Sequence, residues 1–255
     1  MSARTILVTG TNGAVGQHVA DVLEADGHRV VRHGGRGDGD LTLISIVDRV
    51  LTTAQPDAVV NAAGRTYGST QEIWRSNTLI PLRIADELAR SAPTARLVLL
   101  SSAAVYGLAP GPDVVFREDD PCMPNSDYGM AKLAMERVAP LIHTNTVAAR
   151  IFNIVGAHAD PRALLPRVQA AYDAGESSPA GSGEVRDWIP VRSAARALAA
   201  LAVGETVPTT VNICFGVGRT PAEVLGRGTT SPCTGWSVGD PSLMVRATGV
   251  VPGAA

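Results

Sequence analysis

Tyr128 and Lys132 stand four positions apart in the helix-favouring segment Tyr128-Gly-Met-Ala-Lys132. Side chains at that spacing lie on one helix face, so the phenol and the ammonium would point into the same space. A cation there would lower the tyrosine pKa, as general acid–base catalysis near neutral pH requires. Upstream, 98–102 predicts a buried strand that ends in the hydroxyls of Ser101 and Ser102. The pair alone is compatible with a purely structural helix; the hydroxyls and a glycine-rich turn make it a catalytic prediction.

That turn lies near the start of the chain, between a short apolar run at 5–8 and a helical pattern that begins at Gln17. In a strand–turn–helix unit, glycines permit a tight turn, a close approach of backbone to a pyrophosphate, and close packing of the helix. Their spacing here is three and three rather than the two and three of the common dinucleotide fingerprint. A merely tight turn is the alternative. The predicted cofactor-binding residues of this loop are Gly10, Asn12, Gly13, Ala14, Val15 and Gly16.

Composition limits the classes of function that remain. The chain has 255 residues, a net charge of −2 and 45% hydrophobic residues, which fits a globular protein with a substantial core. Without a basic stripe or an apolar run of 18 residues, neither nucleic-acid nor membrane binding is predicted. Three widely spaced cysteines form no disulfide framework and no metal site is predicted. The N-terminus lacks a signal-peptide pattern, so we expect a cytoplasmic protein.

Strand and helix patterns alternate through the first 155 residues, which predicts an α/β fold with a Rossmann-type, doubly wound parallel sheet. After 155 the alternation loosens. We therefore expect a dinucleotide-binding domain at 1–155 and a small C-terminal substrate lobe at 156–255, whose elements could interleave with the first domain, and an irregular stretch from 226 onward. Predicted strands are 5–8, 29–32, 58–63, 97–100 and 147–152; predicted helices are 17–24, 41–53, 73–89 and 126–142.

Four motifs occur in order: Gly10 to Gly16, Asn61-Ala-Ala-Gly64, Ser101-Ser-Ala-Ala-Val-Tyr-Gly107 and Tyr128 to Lys132. Together they resemble the extended short-chain dehydrogenase/reductase family, which includes nucleotide-sugar epimerases, dehydratases and ketoreductases. Further matches lie at 118–121, 150–156 and 181–188, so the resemblance covers about residues 1 to 225.

The resemblance implies roles for single residues. Ser102 would hydrogen-bond the substrate oxygen, with Ser101 facing the core. Tyr128 would exchange a proton with that oxygen, while Lys132 would bind the nicotinamide ribose and lower the Tyr128 pKa. Asn77 resembles an asparagine that holds the active-site architecture, and a helix N-cap is its alternative role.

The resemblance also implies a nicotinamide cofactor. Ala62, Ala63 and Gly64 would line it, and Asp40 with Leu41 would contact the adenine. NAD binding normally uses an acidic residue after the second strand, where this chain has Arg32-His-Gly-Gly-Arg36. Arg32 would favour a 2′-phosphate, so NADPH is the preferred cofactor, with NAD as the alternative; a merely solvated Arg32 is the opposing interpretation.

On the substrate side, the resemblance assigns Ser102, Ala103, Asn153, His158 and Arg186. The fork of donors on Arg186 suits a diphosphate, although a salt bridge to Glu184 or Asp187 would explain it equally. An exposed loop position is the plainer interpretation of His158.

These assignments favour NADPH-dependent reduction of a ketone on a nucleotide-activated deoxysugar, such as a dTDP-4-keto-6-deoxyhexose of an antibiotic-type pathway. Ala103-Ala104 replaces the Asp-Glu pair of a 4,6-dehydratase. A nucleotide-sugar 4-epimerase with tightly held NAD, a reductase of a non-nucleotide ketone, and a cofactor-binding regulator without catalysis remain alternatives. Helices at 73–90 and 126–142 resemble the family's dimer interface, so a homodimer is expected.

Overall fold

The computed structural model describes residues 2–109, 111–112, 114–156, 160–228, 232–233 and 235–253. Its strands are β1 (Thr5–Thr9), β2 (Arg29–His33), β3 (Ala58–Asn61), β4 (Arg96–Ser102), β5 (Val115–Phe116), β6 (Thr146–Ile151), β7 (Asn153–Val155), β8 (Val185–Pro190), β9 (Thr210–Ile213), β10 (Gly218–Arg219) and β11 (Trp236–Gly239). Its helices are α1 (Ala14–Ala25), α2 (Ile44–Ala54), α3 (Thr70–Trp74), α4 (Ile80–Ser91), α5 (Asp127–Ile142), α6 (Leu164–Asp173), α7 (Val191–Val203), α8 (Pro221–Val224) and α9 (Ser242–Thr248).

Six strands form one parallel sheet in the order β2-β1-β3-β4-β6-β9. Its central strands are apolar on both faces because helices cover both sides. One core cluster lies under α1 and α7, and a second lies under α2, α4 and α5. The order reverses between β1 and β3, and in such sheets ligands bind outside the carboxyl ends of the strands. The predicted α/β, doubly wound class is confirmed.

The second part of the chain is less separate than a boundary at 155/156 implies. β9 joins the main sheet beside β6, and α7 packs against α1. In return, β5 from the first part pairs with β11 in a small sheet ordered β10-β8-β11-β5. The stretch expected to be irregular contains β11 and α9. Its Asp240 carboxylate accepts the backbone N–H of Ser242 at 2.8 Å, close to the start of α9.

The helix predicted at 73–89 is also divided. α3 runs into a π-helical turn at Arg75–Leu79, which is followed by α4 with Pro81 in its first turn. Proline is tolerated at that position because the first N–H groups of a helix have no intrahelical acceptor. The π turn places Asn77 on the inside, where its side chain is fully buried.

Candidate active site

The start of α5 lies against the end of β4. Ser126 caps the helix by accepting the Gly129 N–H at 3.1 Å. A side chain at Gly129 would place its Cβ 2.5 Å from the Ala104 carbonyl oxygen, so only glycine permits this approach. Ser102, at the end of β4, accepts the Ala104 N–H at 3.2 Å and caps a short 3-10 turn. The close packing therefore brings the Tyr128 phenol beside the Ser102 hydroxyl.

The pKa of Tyr128 is shifted in the direction opposite to the one predicted from the sequence. Burial raises the pKa of Tyr128, and the Ser102 and Thr66 side chains, which hydrogen-bond its hydroxyl, act in the opposite direction. The four-residue spacing had predicted that Lys132 lowers this pKa. Instead, the Lys132 ammonium donates to the Leu100 carbonyl at 2.5 Å and lies 5.7 Å from the centre of the tyrosine ring. The net direction in this structure is therefore a raised Tyr128 pKa, with burial as its largest cause.

Lys132 is almost fully buried, and burial lowers its pKa to about 8, against the opposing charge of Glu136. It is also the only lysine among the 22 basic residues of the chain, the other 21 being arginine. A compact ammonium group on a flexible stem, whose pKa responds to burial, therefore occurs only in this site.

Asn77 lies beneath the loop that follows β3. Its Nδ2 donates to the carbonyls of Arg65 at 2.7 Å and Ile73 at 2.9 Å, while its Oδ1 is buried without a hydrogen-bond partner. Asn77 caps no helix, so that alternative is wrong: its side chain ties the turn of a helix to the loop that carries Thr66. A Cβ at Gly64 would fall 2.7 Å from Asn77 Oδ1 and 3.5 Å from Lys132 Nζ.

The glycine loop has the geometry of a pyrophosphate cradle. A Cβ at Gly16 would lie 2.4 Å from the Gly10 carbonyl oxygen, so α1 begins in direct contact with the turn. Gly13 precedes the helix without any side-chain cap, which leaves the first N–H groups of α1 open to a ligand. The residues present therefore fit a bound dinucleotide.

These elements surround a single cavity of about 960 Å³, which opens along the carboxyl ends of the strands. Its volume is at the upper end of typical ligand pockets. It unites most of the predicted site: Gly13, Ala14, Val15, Gly16, Ala62, Gly64, Asn77, Ser102, Ala103, Tyr128, Lys132, Asn153 and Arg186 all line it.

Six predicted cofactor residues do not line the cavity: Gly10, Asn12, Arg32, Asp40, Leu41 and Ala63. Arg32 is ion-paired with Asp21 at 2.6 Å and Glu24 at 2.8 Å, and these carboxylates raise its pKa. Arg32 is therefore not merely solvated, because its guanidinium is engaged by two carboxylates.

The Asp40–Leu41 pair has a structural role here. Asp40 accepts the Thr42 N–H at 2.9 Å, which lowers the pKa of Asp40, and Leu41 packs in the core beside α2. This turn occupies the start of the helix predicted at 41–53, so α2 begins only at Ile44.

On the substrate side, Asn153 and Arg186 lie on neighbouring elements of the small sheet, β7 and β8. The Arg186 guanidinium is ion-paired with Glu184, one of the two expected partners, and both side chains line the cavity. Asp187 instead points into the protein and accepts backbone N–H groups from Phe215 at 2.6 Å and Gly216 at 2.7 Å. His158 lies outside the described residues.

Several cavity residues have no counterpart in the sequence analysis. Thr66 follows the Asn-Ala-Ala-Gly motif and contacts the phenol of Tyr128. Tyr67 stacks under the Arg162 guanidinium, 4.7 Å from its carbon, and so joins two segments that are distant in sequence. Such long-range pairs leave no local pattern.

Within the described part of the chain, no cluster of three or more His, Cys, Asp or Glu side chains could hold a metal ion. No described helix has the length and apolar character needed to cross a bilayer.

Residues 6–214 match the sequence model of the NAD dependent epimerase/dehydratase family, and the chain belongs to that family. One relative is the dTDP-6-deoxy-L-talose 4-dehydrogenase (NAD(P)(+)) of Kitasatospora kifunensis, 30% identical over 66% of this chain and 57% of its own length. Another is the UDP-glucose 4-epimerase of Azospirillum brasilense, 33% identical over 60% of this chain and 49% of its own. The chain thus spans about half the length of these relatives.

Among solved structures, the fold is similar to that of the Bordetella bronchiseptica enzyme WbmG in complex with NAD and UDP. The TM-score is 0.81 with 22% sequence identity, covering 100% of this chain and 91% of that one. At this identity the likeness supports the fold alone.

Proposed function

We propose that the protein reduces a ketone on a nucleotide-activated deoxysugar with NADPH, as a 4-ketoreductase. The observation that carries this proposal is the meeting of Ser102, Tyr128 and Lys132 in one cavity that the glycine loop and Arg186 also line. The relative that acts on a dTDP-6-deoxysugar supports the choice of substrate class.

In the reaction, Tyr128 donates its proton to the carbonyl oxygen, and the Ser102 hydroxyl donates a hydrogen bond to the same oxygen. Bound NADPH supplies the hydride that completes conversion of the ketone to an alcohol. Lys132 binds the ribose beside the nicotinamide. Before substrate binds, the phenol of Tyr128 is protonated at neutral pH, as a proton donor must be.

Two alanines support reduction over elimination of water. Ala103 and Ala104 line the cavity directly after Ser102 and offer no carboxyl group that could remove a proton from the sugar. Epimerisation needs only the groups named above and is the second candidate, favoured by the 4-epimerase relative. Reduction of a ketone without a nucleotide is the third.

For the cofactor, NADPH is proposed because the first two residues after β2 are glycines and two arginines border this loop. The nearest carboxylate in the loop, that of Asp38, accepts the Gly34 N–H at 2.6 Å. Arg32 has two close carboxylate partners, whereas Arg36 is 85% exposed and has one longer ion pair, with Asp40 at 3.9 Å, so Arg36 is the better placed cation for a 2′-phosphate. Arg36→Ala should then weaken NADPH binding while leaving NADH binding unchanged. Arg32→Ala is the comparison. If the ratio of the affinities for NADPH and NADH is the same in both variants and in the wild type, the proposed preference for NADPH is contradicted.

A homodimer is proposed from the surface of α5, where Met130, Val138 and Leu141 are 48%, 37% and 83% exposed. Contiguous exposed apolar side chains of this kind favour association. Light scattering after size exclusion should give twice the chain mass, and Leu141→Glu should give the monomer.

A cytoplasmic location and a role in antibiotic-type deoxysugar synthesis remain predictions.

The function is tested by loss of absorbance at 340 nm with NADPH or NADH against a panel of dTDP-4-keto-6-deoxyhexoses. Consumption of NADPH with at least one sugar is expected, and Tyr128→Phe should reduce it by several orders of magnitude. If no sugar causes loss of absorbance and NAD is released when the protein is denatured, the result would favour the epimerase. If no sugar causes loss of absorbance and no nucleotide is bound, the substrate would lie outside nucleotide sugars.

A further inference from the structure

A buried ion pair joins α5, the helix of the catalytic lysine, to β6. Glu136 follows Lys132 by one turn of α5, and its carboxylate receives Arg150 Nη2 at 2.8 Å and Nε at 3.1 Å. The two side chains are only 4% and 5% exposed. A bidentate pair this far from solvent requires well-satisfied geometry, because removing both charges from water is costly.

The pair is joined to the site from three sides. Ser101, next to the catalytic Ser102, donates its hydroxyl to Glu136. Arg150 Nη1 donates to the Tyr106 hydroxyl at 2.8 Å and to the Glu118 carbonyl at 3.0 Å. Burial raises the pKa of two groups near the pair, the Tyr106 phenol and the Cys122 thiol. Glu118 and Arg137 are further charged groups beside these two.

We propose that Glu136 is a positioning residue of the active site, whose carboxylate, fixed by Arg150 and Ser101, keeps Lys132 protonated and aligned beneath Tyr128. The catalytic role of Lys132 rests on the proposed function, but its ionisation can be measured without substrate or cofactor.

The physical reason is a competition between burial and charge. The ammonium lies in a site that disfavours it, and Glu136 supplies the opposing negative charge. Arg150 neutralises part of that charge and holds the carboxylate in place. The protonation of Lys132 therefore depends on the balance between the negative charge of Glu136 and the positive charge of Arg150. Removing Glu136 alone leaves both a weaker anionic field and an uncompensated Arg150, and both effects favour neutral Lys132.

The single lysine makes a direct test available. Protein grown with [13C]lysine carries one labelled side chain, so the 13Cε shift as a function of pH gives the Lys132 pKa without assignment. The wild type should titrate near pH 8. Glu136→Gln should lower the midpoint by about one pH unit or more. Arg150→Met should raise it, because the carboxylate is then opposed by no guanidinium.

Glu87→Gln is the matched control, because Glu87 is also a buried helical carboxylate paired with an arginine, on α4. It should leave the Lys132 midpoint unchanged. If Glu136→Gln does not fold, the double variant Glu136→Gln/Arg150→Met removes both charges, and a smaller downward shift is still expected.

A second readout separates positioning from simple support of the fold. In Glu136→Gln, the alkaline limit of cofactor binding should move to lower pH by the same amount as the lysine midpoint. An unchanged or raised midpoint in folded Glu136→Gln and in the double variant would overturn the proposal. Failure of the ketoreductase assay with the expected shift present would contradict the proposed function alone.

Discussion

Replacing Lys132 by methionine should stabilise the protein without cofactor at neutral pH while abolishing turnover. Burial lowers the pKa of Lys132 from 10.5 to about 8. A shift of this size corresponds to about 3 kcal/mol of preference for the neutral amine in the folded state. Below pH 8 the lysine is charged both folded and unfolded, so the whole penalty opposes folding. As pH rises from 8 towards 10.5 the folded protein loses its proton first, and the penalty fades.

The assay is urea unfolding of the wild type and Lys132→Met at pH 7, 8, 9 and 10, followed by tryptophan fluorescence. The absolute difference at pH 7 also contains the lost hydrogen bond to Leu100. Its change with pH does not. We therefore expect the free energy of unfolding of the wild type, relative to that of Lys132→Met, to increase by about 2.5 kcal/mol between pH 7 and 10.

Lys132→Arg is the control, since a guanidinium remains charged over this range and its difference from Lys132→Met should be constant. A wild-type difference that is also constant, or one that moves in the opposite direction, would refute the conclusion that burial depresses the Lys132 pKa.

Three further changes test other parts of the site. Gly16→Ala should weaken cofactor binding at least about tenfold, because its Cβ would meet the Gly10 carbonyl at 2.4 Å; Gly228→Ala, which meets nothing within 4 Å, is the control in a fluorescence titration. Burial raises the pKa of Asp187 to about 6, so the folded state binds this proton more tightly than the unfolded state. The wild type should therefore lose about 2 kcal/mol relative to Asp187→Asn as pH rises from 4 to 6, and a gain would show that the backbone N–H groups dominate. Arg186→Ala should raise the KM for the nucleotide sugar and leave that for the cofactor unchanged; an unaltered substrate KM would indicate a different class of substrate.

Local patterns predicted the sheet and most of the site. The apolar runs of the first five main-sheet strands and the four-residue spacing of Tyr128 and Lys132 depend on short-range periodicity, which the fold preserved. The sixth strand, β9, was missed because it follows a loosened pattern and is identified only by its pairing with β6. α9 was missed because it is only 7 residues long and lies in a Gly- and Ser-rich stretch.

Titration and ion pairing could not be predicted because they depend on burial and on long-range partners. Arg32 is paired with two carboxylates of α1, which stand 8 and 11 positions away in the chain. The depressed pKa expected for Tyr128 ignored the cost of burying the phenol. Glu136 could have been found from its position, since it continues the four-residue spacing of Tyr128 and Lys132. Its partner Arg150 is a charged residue in an apolar strand, which itself implies a buried counterion.

The most direct test of the central claim is transfer of deuterium from 4-deuterated NADPH, labelled at the transferable position, to the nucleotide-bound ketosugar, analysed by mass spectrometry and proton NMR. Net ketoreduction predicts one deuterium per product molecule, bound at the former carbonyl carbon, with one NADPH consumed per turnover. An isomerised sugar without deuterium, formed with no consumption of added cofactor, would contradict net ketoreduction and identify the protein as an epimerase.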